Sequence, residues 1–320
     1  MLSPVKLEEL NIILFTIDTL RADHLECYGY DKVKTPHINR LADEGILFEH
    51  NIVQTPLTLP SHASILTGTY PLYHGIRDNG GFYLDESHVT LAEELKSRGY
   101  ATGAFVAAFV LDSKWGLDQG FDYYYDNFDL TKYKKVSLDS VQRRGDEVLS
   151  EAYKWFEENN QDKFFAWIHL YDPHTPYDPP EPYKTEYSGK RFRLYDGEIA
   201  YVDQLIGEFR QFMEEKNLLE KTLIIFTSDH GESLGEHKEN AHGFFIYDSA
   251  VRVPLIIRLP AKKEGGKRIA NQVRSIDIMP TILNCLDNNP SLSVQGQSLL
   301  PYILDLDGDL DLSALSLIHI

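Results

Sequence analysis

The sequence predicts an α/β protein built on one central, mostly parallel sheet with helices on both faces. Short apolar runs at 11–17, 101–107, 164–170, 222–227 and 253–258 alternate with stretches of helical periodicity, the pattern of strand–helix–strand units. These runs are nearly continuous rather than alternating, as in Asn11–Ile17, which suits strands covered on both faces. Several of them end at polar residues, Asp18, Tyr171-Asp172-Pro173-His174 and Ser228-Asp229-His230. Open α/β sheets bind ligands outside the carboxyl ends of their strands.

Composition narrows the class. The chain has 320 residues, 42% hydrophobic and 25% charged, enough for one large core or two smaller domains. A formal net charge of −18 argues against nucleic acid as a partner, since phosphate backbones need a basic face. It does not oppose a small anionic substrate, because a metal supplies positive charge locally. Cys27 and Cys285 are the only cysteines, so no disulfide framework or cysteine metal site is expected. The first ten residues carry no signal-peptide pattern, and no run reaches the ~20 apolar residues of a membrane helix. The default expectation is a cytoplasmic protein without a transmembrane segment.

The elements follow in order. After the 11–17 strand, Asp18 stands where a ligand would bind, or where a turn would be capped. Residues 36–45 read as a short helix with a glycine stop, and a strand follows at about 46–53. In 55–68, two prolines and two hydroxyl residues precede an apolar stretch. Pro60 and Ser61 suit a first helical turn and Gly68 a stop. Thr58 therefore lies at a helix start, where free N–H groups favour an anion. The Pro- and Gly-rich 70–81 is loop. Residues 88–98 have helical spacing ended by Gly99, and Tyr100–Val110 contains the next strand. The aromatic, acidic 111–137 reads as a surface excursion and 139–158 as an amphipathic helix. The strand Phe164–Leu170, which carries His169, runs into a loop with Asp172 and His174 among prolines. Residues 195–216 form a long helix with an apolar stripe at Ile199, Val202, Leu205, Ile206 and Phe209. The strand 222–227 ends at Asp229-His230-Gly231, where a carboxylate and an imidazole side by side can reach one divalent metal.

The motifs resemble those of the sulfatase family of the alkaline phosphatase superfamily. Pro60, Ser61, Ser64, Leu66, Thr67 and Gly68 fit its Cys/Ser-x-Pro-Ser-Arg-x-Ser-x-Leu-x-Thr-Gly signature. The resemblance continues through His74–Asn79, Gly120-Phe121-Asp122, Pro173-His174, Ser228–Gly231, Tyr247–Ile257, Asp277–Leu283 and Gly296–Leu299, in the family's order from about residue 10 to 303. It implies an alkaline phosphatase-like sheet and a catalytic domain over 1–304. The family's small C-terminal subdomain has no counterpart, and 305–320 reads as a truncated or non-native tail. The acidic run 305–311 fails the EF-hand pattern because its glycine is in the fourth place and reads as a solvated turn. The string Asp229–Glu236 followed by Ala241-His242-Gly243 resembles the phosphoethanolamine transferases, with His242 thirteen residues after Asp229.

Three departures stand out. Thr58 occupies the nucleophile slot, and threonine cannot be oxidised to the formylglycine aldehyde of sulfatases. His62 occupies the arginine slot. Gly243 stands where sulfatases carry a lysine.

The resemblance implies Asp18, Thr58, Asp229 and His230 as ligands of a divalent ion, Zn²⁺, Mn²⁺, Mg²⁺ or Ca²⁺. Thr58 would be the nucleophile. His174 and His242 would stabilise equatorial oxygens or protonate the leaving group, or hold a second metal with Asp172. His62, Arg77, Asn79, His169 and Asp172 are the candidate substrate contacts, with a solvated turn as the other reading of Arg77 and Asn79. The expected activity is hydrolysis of phosphate or phosphonate esters, or phosphoryl transfer. The alternatives are a sulfuric ester hydrolase without formylglycine and a non-catalytic binding module.

Overall fold

The computed structural model describes residues 10–132, 138, 141–159, 163–189, 191–286, 294–306, 310 and 312–317. The N-terminal stretch 1–9, the expected helix start at 139–140, and 307–309 and 311 of the acidic run lie outside the described residues. The strands are β1 Asn11–Ile17, β2 Ile46–Ile52, β3 Ala101–Phe105, β4 Tyr123–Tyr125, β5 Phe164–Leu170, β6 Thr222–Ser228, β7 Arg252–Arg258 and β8 Lys267–Arg274. They form one sheet in the order β4-β3-β5-β1-β6-β7-β2-β8. β7 runs antiparallel to both neighbours, and the remaining pairs are parallel. The expected α/β architecture is therefore present.

Side chains alternate faces along each strand. On one face Phe15 meets Phe209 of the helix Arg191–Glu215 edge-on at 4.9 Å. The helix Gly145–Glu158 joins it there, with Phe156 5.8 Å from Phe209. On the other face Thr16 and Trp167 meet the helix Thr58–Thr67 through His62. All ten residues of that helix are buried, and its polar members Thr58, Ser61, His62, Ser64 and Thr67 are satisfied by hydrogen bonds within the protein.

Three expectations need correction. The 111–137 stretch is not only a surface excursion, because Tyr123–Tyr125 pairs with β3 as the sheet's edge strand. β8, with its charged sequence, was not anticipated and pairs with β2. The helix expected over 139–158 spans Gly145–Glu158. Gln142 and Arg143, expected inside it, lie beside the segment that follows β3 instead, where Arg143 N–H donates to Ala107 O (2.9 Å) and Gln142 bridges Ala108.

Candidate active site

The register of the three central strands builds the site. Ile17 pairs with Ser228 on one side and Leu170 on the other, so the next residues, Asp18, Asp229 and Tyr171, emerge at one sheet edge. Asp18 N–H still donates to Leu170 O (2.8 Å). Asp18, Asp229 and His230 offer ligand atoms that all lie within 4.8 Å of one another, and all three residues are buried.

Each donor is oriented by what its other atoms do. Asp229 Oδ1 accepts the N–H groups of His230 (2.8 Å) and Thr19 (3.3 Å), which leaves Oδ2 without a hydrogen bond. Asp18 Oδ1 is likewise buried and unbonded. His230 Nδ1 lies 2.9 Å from Gly231 O, and a carbonyl accepts only a donor, so Nδ1 carries the proton. Nε2 then presents its lone pair, the arrangement a metal-binding imidazole needs. That Nε2 is 3.3 Å from Thr58 Oγ1, which is itself 3.4 Å from Asp18 Oδ2.

Electrostatics point the same way. Burial, then Asp229, then Glu232 push the Asp18 carboxyl well above its ordinary pKa, and burial raises Asp229. Burial holds His230, His169 and His174 well below the usual histidine value, so they are neutral. Two crowded buried carboxylates with orphaned oxygens and a lone-pair imidazole fit a divalent cation, which relieves the cost of burying them. Zn²⁺, Mn²⁺, Mg²⁺ and Ca²⁺ all suit such donors.

Sharp turns make this convergence possible. Thr19, a β-branched residue, sits at φ 54°, a strained region for such a side chain. It is held by Tyr195 Oη, which donates to Thr19 O (2.8 Å) and accepts from Arg21 N–H (3.0 Å). A Cβ on Gly231 would lie 2.0 Å from Ser249 O, so only glycine lets the 229–231 turn pass under that carbonyl.

A row of imidazoles borders the cluster. The His242 ring is 4.3 Å from that of His230 and 5.2 Å from that of His174. His242 Nδ1 lies 3.2 Å from Glu232 Oε1, and Tyr177 Oη donates to Glu232 Oε2 (3.2 Å). His174 stacks on Tyr171 and donates from Nδ1 to Thr175 O (2.6 Å). His169 accepts Ala107 N–H at Nδ1 and brings Nε2 to 3.4 Å from Asp18 Oδ2. Glu232 and Tyr177 were missed as site residues. Glu232 lies within the Asp229–Glu236 string, and that position was its available signal.

Other candidates are placed differently. Both nitrogens of His62 are engaged, Nδ1 with Thr58 O (2.8 Å) and Nε2 with Thr16 Oγ1 (3.0 Å). It orients the Thr58 turn rather than offering a group to substrate. Asn79 Oδ1 accepts Leu59 N–H (2.9 Å) and so caps the helix from a distance. Pro60 has no N–H, and Ser61 N–H bonds Leu57 O. The helix start therefore has at most the Thr58 N–H for an anion, fewer than expected. Thr58 is the first helical residue, and no side chain of the preceding Leu57 caps the turn. Arg77 is exposed. Asp172 accepts Gly145 N–H (3.2 Å) and lines a separate cleft of about 330 Å³ with Arg144 and Glu198. It therefore does not join His174 and His242 in a second metal set.

A hydroxyl among buried Asp, Asp and His donors, at the carboxyl edge of such a sheet, defines a metal-dependent ester hydrolase of alkaline phosphatase type. The chain belongs to the sulfatase family, whose model matches residues 10–288. It is 28% identical to an ulvan-active sulfatase of Formosa agariphila, over 95% of this chain and 67% of that protein. It is 25% identical to a multifunctional alkaline phosphatase superfamily protein of Trinickia caryophylli, over 92% of this chain and 77% of that protein. Its fold superposes on the phosphonate monoester hydrolase of Agrobacterium radiobacter with a TM-score of 0.81 at 22% identity, covering 95% of this chain and 78% of that one. Among the described residues, no helix is long and apolar enough to cross a membrane.

Proposed function

We infer that the protein hydrolyses phosphate or phosphonate esters, or transfers the phosphoryl group, with Thr58 as the nucleophile. One observation carries this reading. The Thr58 hydroxyl is buried between Asp18 Oδ2 (3.4 Å) and His230 Nε2 (3.3 Å), two members of the acidic cluster. Asp18, Asp229, His230 and Thr58 would hold the divalent ion. When bound, the ion lowers the hydroxyl pKa and screens the charge of the anionic ester.

The chain's own groups supply the rest. Thr58 Oγ attacks phosphorus in line with the leaving oxygen, and its proton departs toward the Asp18 side. The P–O bond to the leaving group breaks, leaving a phosphothreonine. His242, whose Nδ1 is held 3.2 Å from Glu232 Oε1 at the border of the cluster, is the group assigned to protonate the leaving oxygen. Burial keeps His174 neutral with its proton on Nδ1, so its Nε2 can only accept a hydrogen bond, for instance from the attacking water. Water, or an acceptor alcohol, then releases the phosphoryl group.

A second reading, sulfate ester hydrolysis, is favoured by the likeness to the ulvan-active sulfatase. It lacks a residue that can become formylglycine, so a threonine sulfate would have to be cleared by direct water attack. The metal-loaded protein should be assayed on aryl phosphate, phosphonate and sulfate esters. Phosphoryl chemistry predicts phosphate or phosphonate turnover that falls by several orders of magnitude in Thr58→Ala and survives in part in Thr58→Ser. Near wild-type turnover by folded Thr58→Ala would eliminate the covalent mechanism. Faster sulfate turnover would favour the second reading, and no turnover with metal bound would indicate a binding module.

A further inference from the structure

The geometry points to Phe244–Tyr247 as the platform for an apolar organic group of the substrate, so that the enzyme prefers esters bearing an aryl or similar group. This rests on the ester hydrolase reading above. Four consecutive apolar residues stand in water: Phe244, Phe245, Ile246 and Tyr247 are 68%, 50%, 46% and 37% exposed. Other exposed large apolar residues among those described are isolated or paired. Contiguous exposed apolar surface marks an interaction site.

The run is tied to the site at its start. His242, two residues before Phe244, packs its ring 4.3 Å from His230. Gly243 is at φ +94°, and a Cβ there would lie 3.1 Å from Leu57 Cδ2. The backbone leading into Phe244 thus rests on the residue preceding Thr58. At the far end Tyr247 stacks on His237 at 3.9 Å, and its carbonyl accepts the N–H groups of Ala250 (2.8 Å) and Val251 (3.0 Å). An anchored segment that still exposes four apolar side chains is held out rather than collapsed.

The occupant follows from how the site divides the substrate. Asp18, Asp229, His230, Thr58, His174 and His242 are all polar and suit the anionic half. The organic half must leave the site past its border, and His242-Gly243-Phe244 carries that border directly onto the apolar run. A second copy of the chain is the competing occupant.

The test uses the metal-loaded protein and the double variant Phe244→Ser/Phe245→Ser, which alters exposed side chains. The probes are a 4-nitrophenyl ester of the class that the wild type turns over, an ester of glycerol with the same acid, and the corresponding inorganic oxyanion as inhibitor. The expected result is a KM for the aryl ester raised about tenfold, in line with the loss of aromatic contact, with little change in kcat. The KM for the glycerol ester and the Ki for the oxyanion should stay at wild-type values. Equal shifts for all three probes, or an unchanged aryl KM, would overturn the inference while leaving the hydrolase reading intact. A wild-type dimer that the variant dissociates would also overturn it, by assigning the run to a second copy. Absence of both turnover and oxyanion binding in the wild type would defeat the hydrolase reading, and the inference with it.

Discussion

Replacing Thr16 by valine tests how the buried polar chain behind the nucleophile is held. Trp167 Nε1–H donates to Thr16 Oγ1 (2.9 Å), Thr16 Oγ1 lies 3.0 Å from His62 Nε2, and His62 Nδ1 lies 2.8 Å from Thr58 O. One proton arrangement satisfies every link, with neutral His62 accepting from Thr16 and donating to the Thr58 carbonyl. Burial favours that neutral form. Valine keeps the shape but removes the hydroxyl, so no cavity forms. It leaves an indole N–H and an imidazole nitrogen unbonded, and both residues are fully buried. Each such orphan costs about 1–3 kcal/mol, so Thr16→Val should destabilise by about 3 kcal/mol. The assay is urea unfolding, in which the midpoint should move while the slope stays constant. Trp167→Phe removes one of the same orphans, so the double variant should lose at least about 1 kcal/mol less than the sum of the singles. A loosened His62 should also lower kcat. A Thr16→Val protein within about 0.5 kcal/mol of wild type, or strict additivity, would refute the chain of bonds.

Other perturbations address the metal, the turn and pH. Asp229→Ala should lose most of its divalent ion by elemental analysis while keeping the sheet by circular dichroism. Chelator should then lower the Tm of the wild type but not of the variant, and equal metal in both would sink the assignment. Gly231→Ala must displace Ser249 O, 2.0 Å from the new carbon. It should cost about 1–3 kcal/mol and weaken metal retention, and wild-type unfolding with full metal content would count against the tight turn. Burial holds His74 at about 3, against 6.5 for an ordinary histidine, so it is neutral when folded. The unfolded chain therefore takes up the proton first as pH falls below 6.5. This group's contribution is lost at about 1.4 kcal/mol per pH unit until about pH 3. Between pH 7 and 5 His74→Gln should lose about 2 kcal/mol less stability than wild type, and parallel curves would show that His74 is not held neutral.

The residues that end strands carried much of the site in the sequence itself. Continuous apolar runs fix which segments are buried strands, and a charged residue following one must emerge at the sheet's edge, so Asp18, Asp229 and His230 were legible. Pro60 and Gly68 bound the helix that Thr58 opens, and Gly68 does end it at φ +64°. β4 was hidden because it is three residues long and pairs only at the edge. β8 was hidden because five of its eight residues are exposed or half-buried, so its sequence carries no apolar run. Residue type was also a poor guide to direction. His62 sits in an arginine slot yet turns inward, because Thr16 and the Thr58 carbonyl together satisfy both its nitrogens in a dry interior. Asp172 lies two residues past β5, whereas Asp18 directly follows β1, and the N–H of Gly145 holds it in another cleft. By itself, then, the sequence determined the kinds of element and the chemistry at their ends, since these depend on neighbours within a turn or a strand. Only the tertiary structure decided which ends meet. Ile17 is set beside Ser228 across more than two hundred residues by sheet pairing and burial, and no local preference encodes that register.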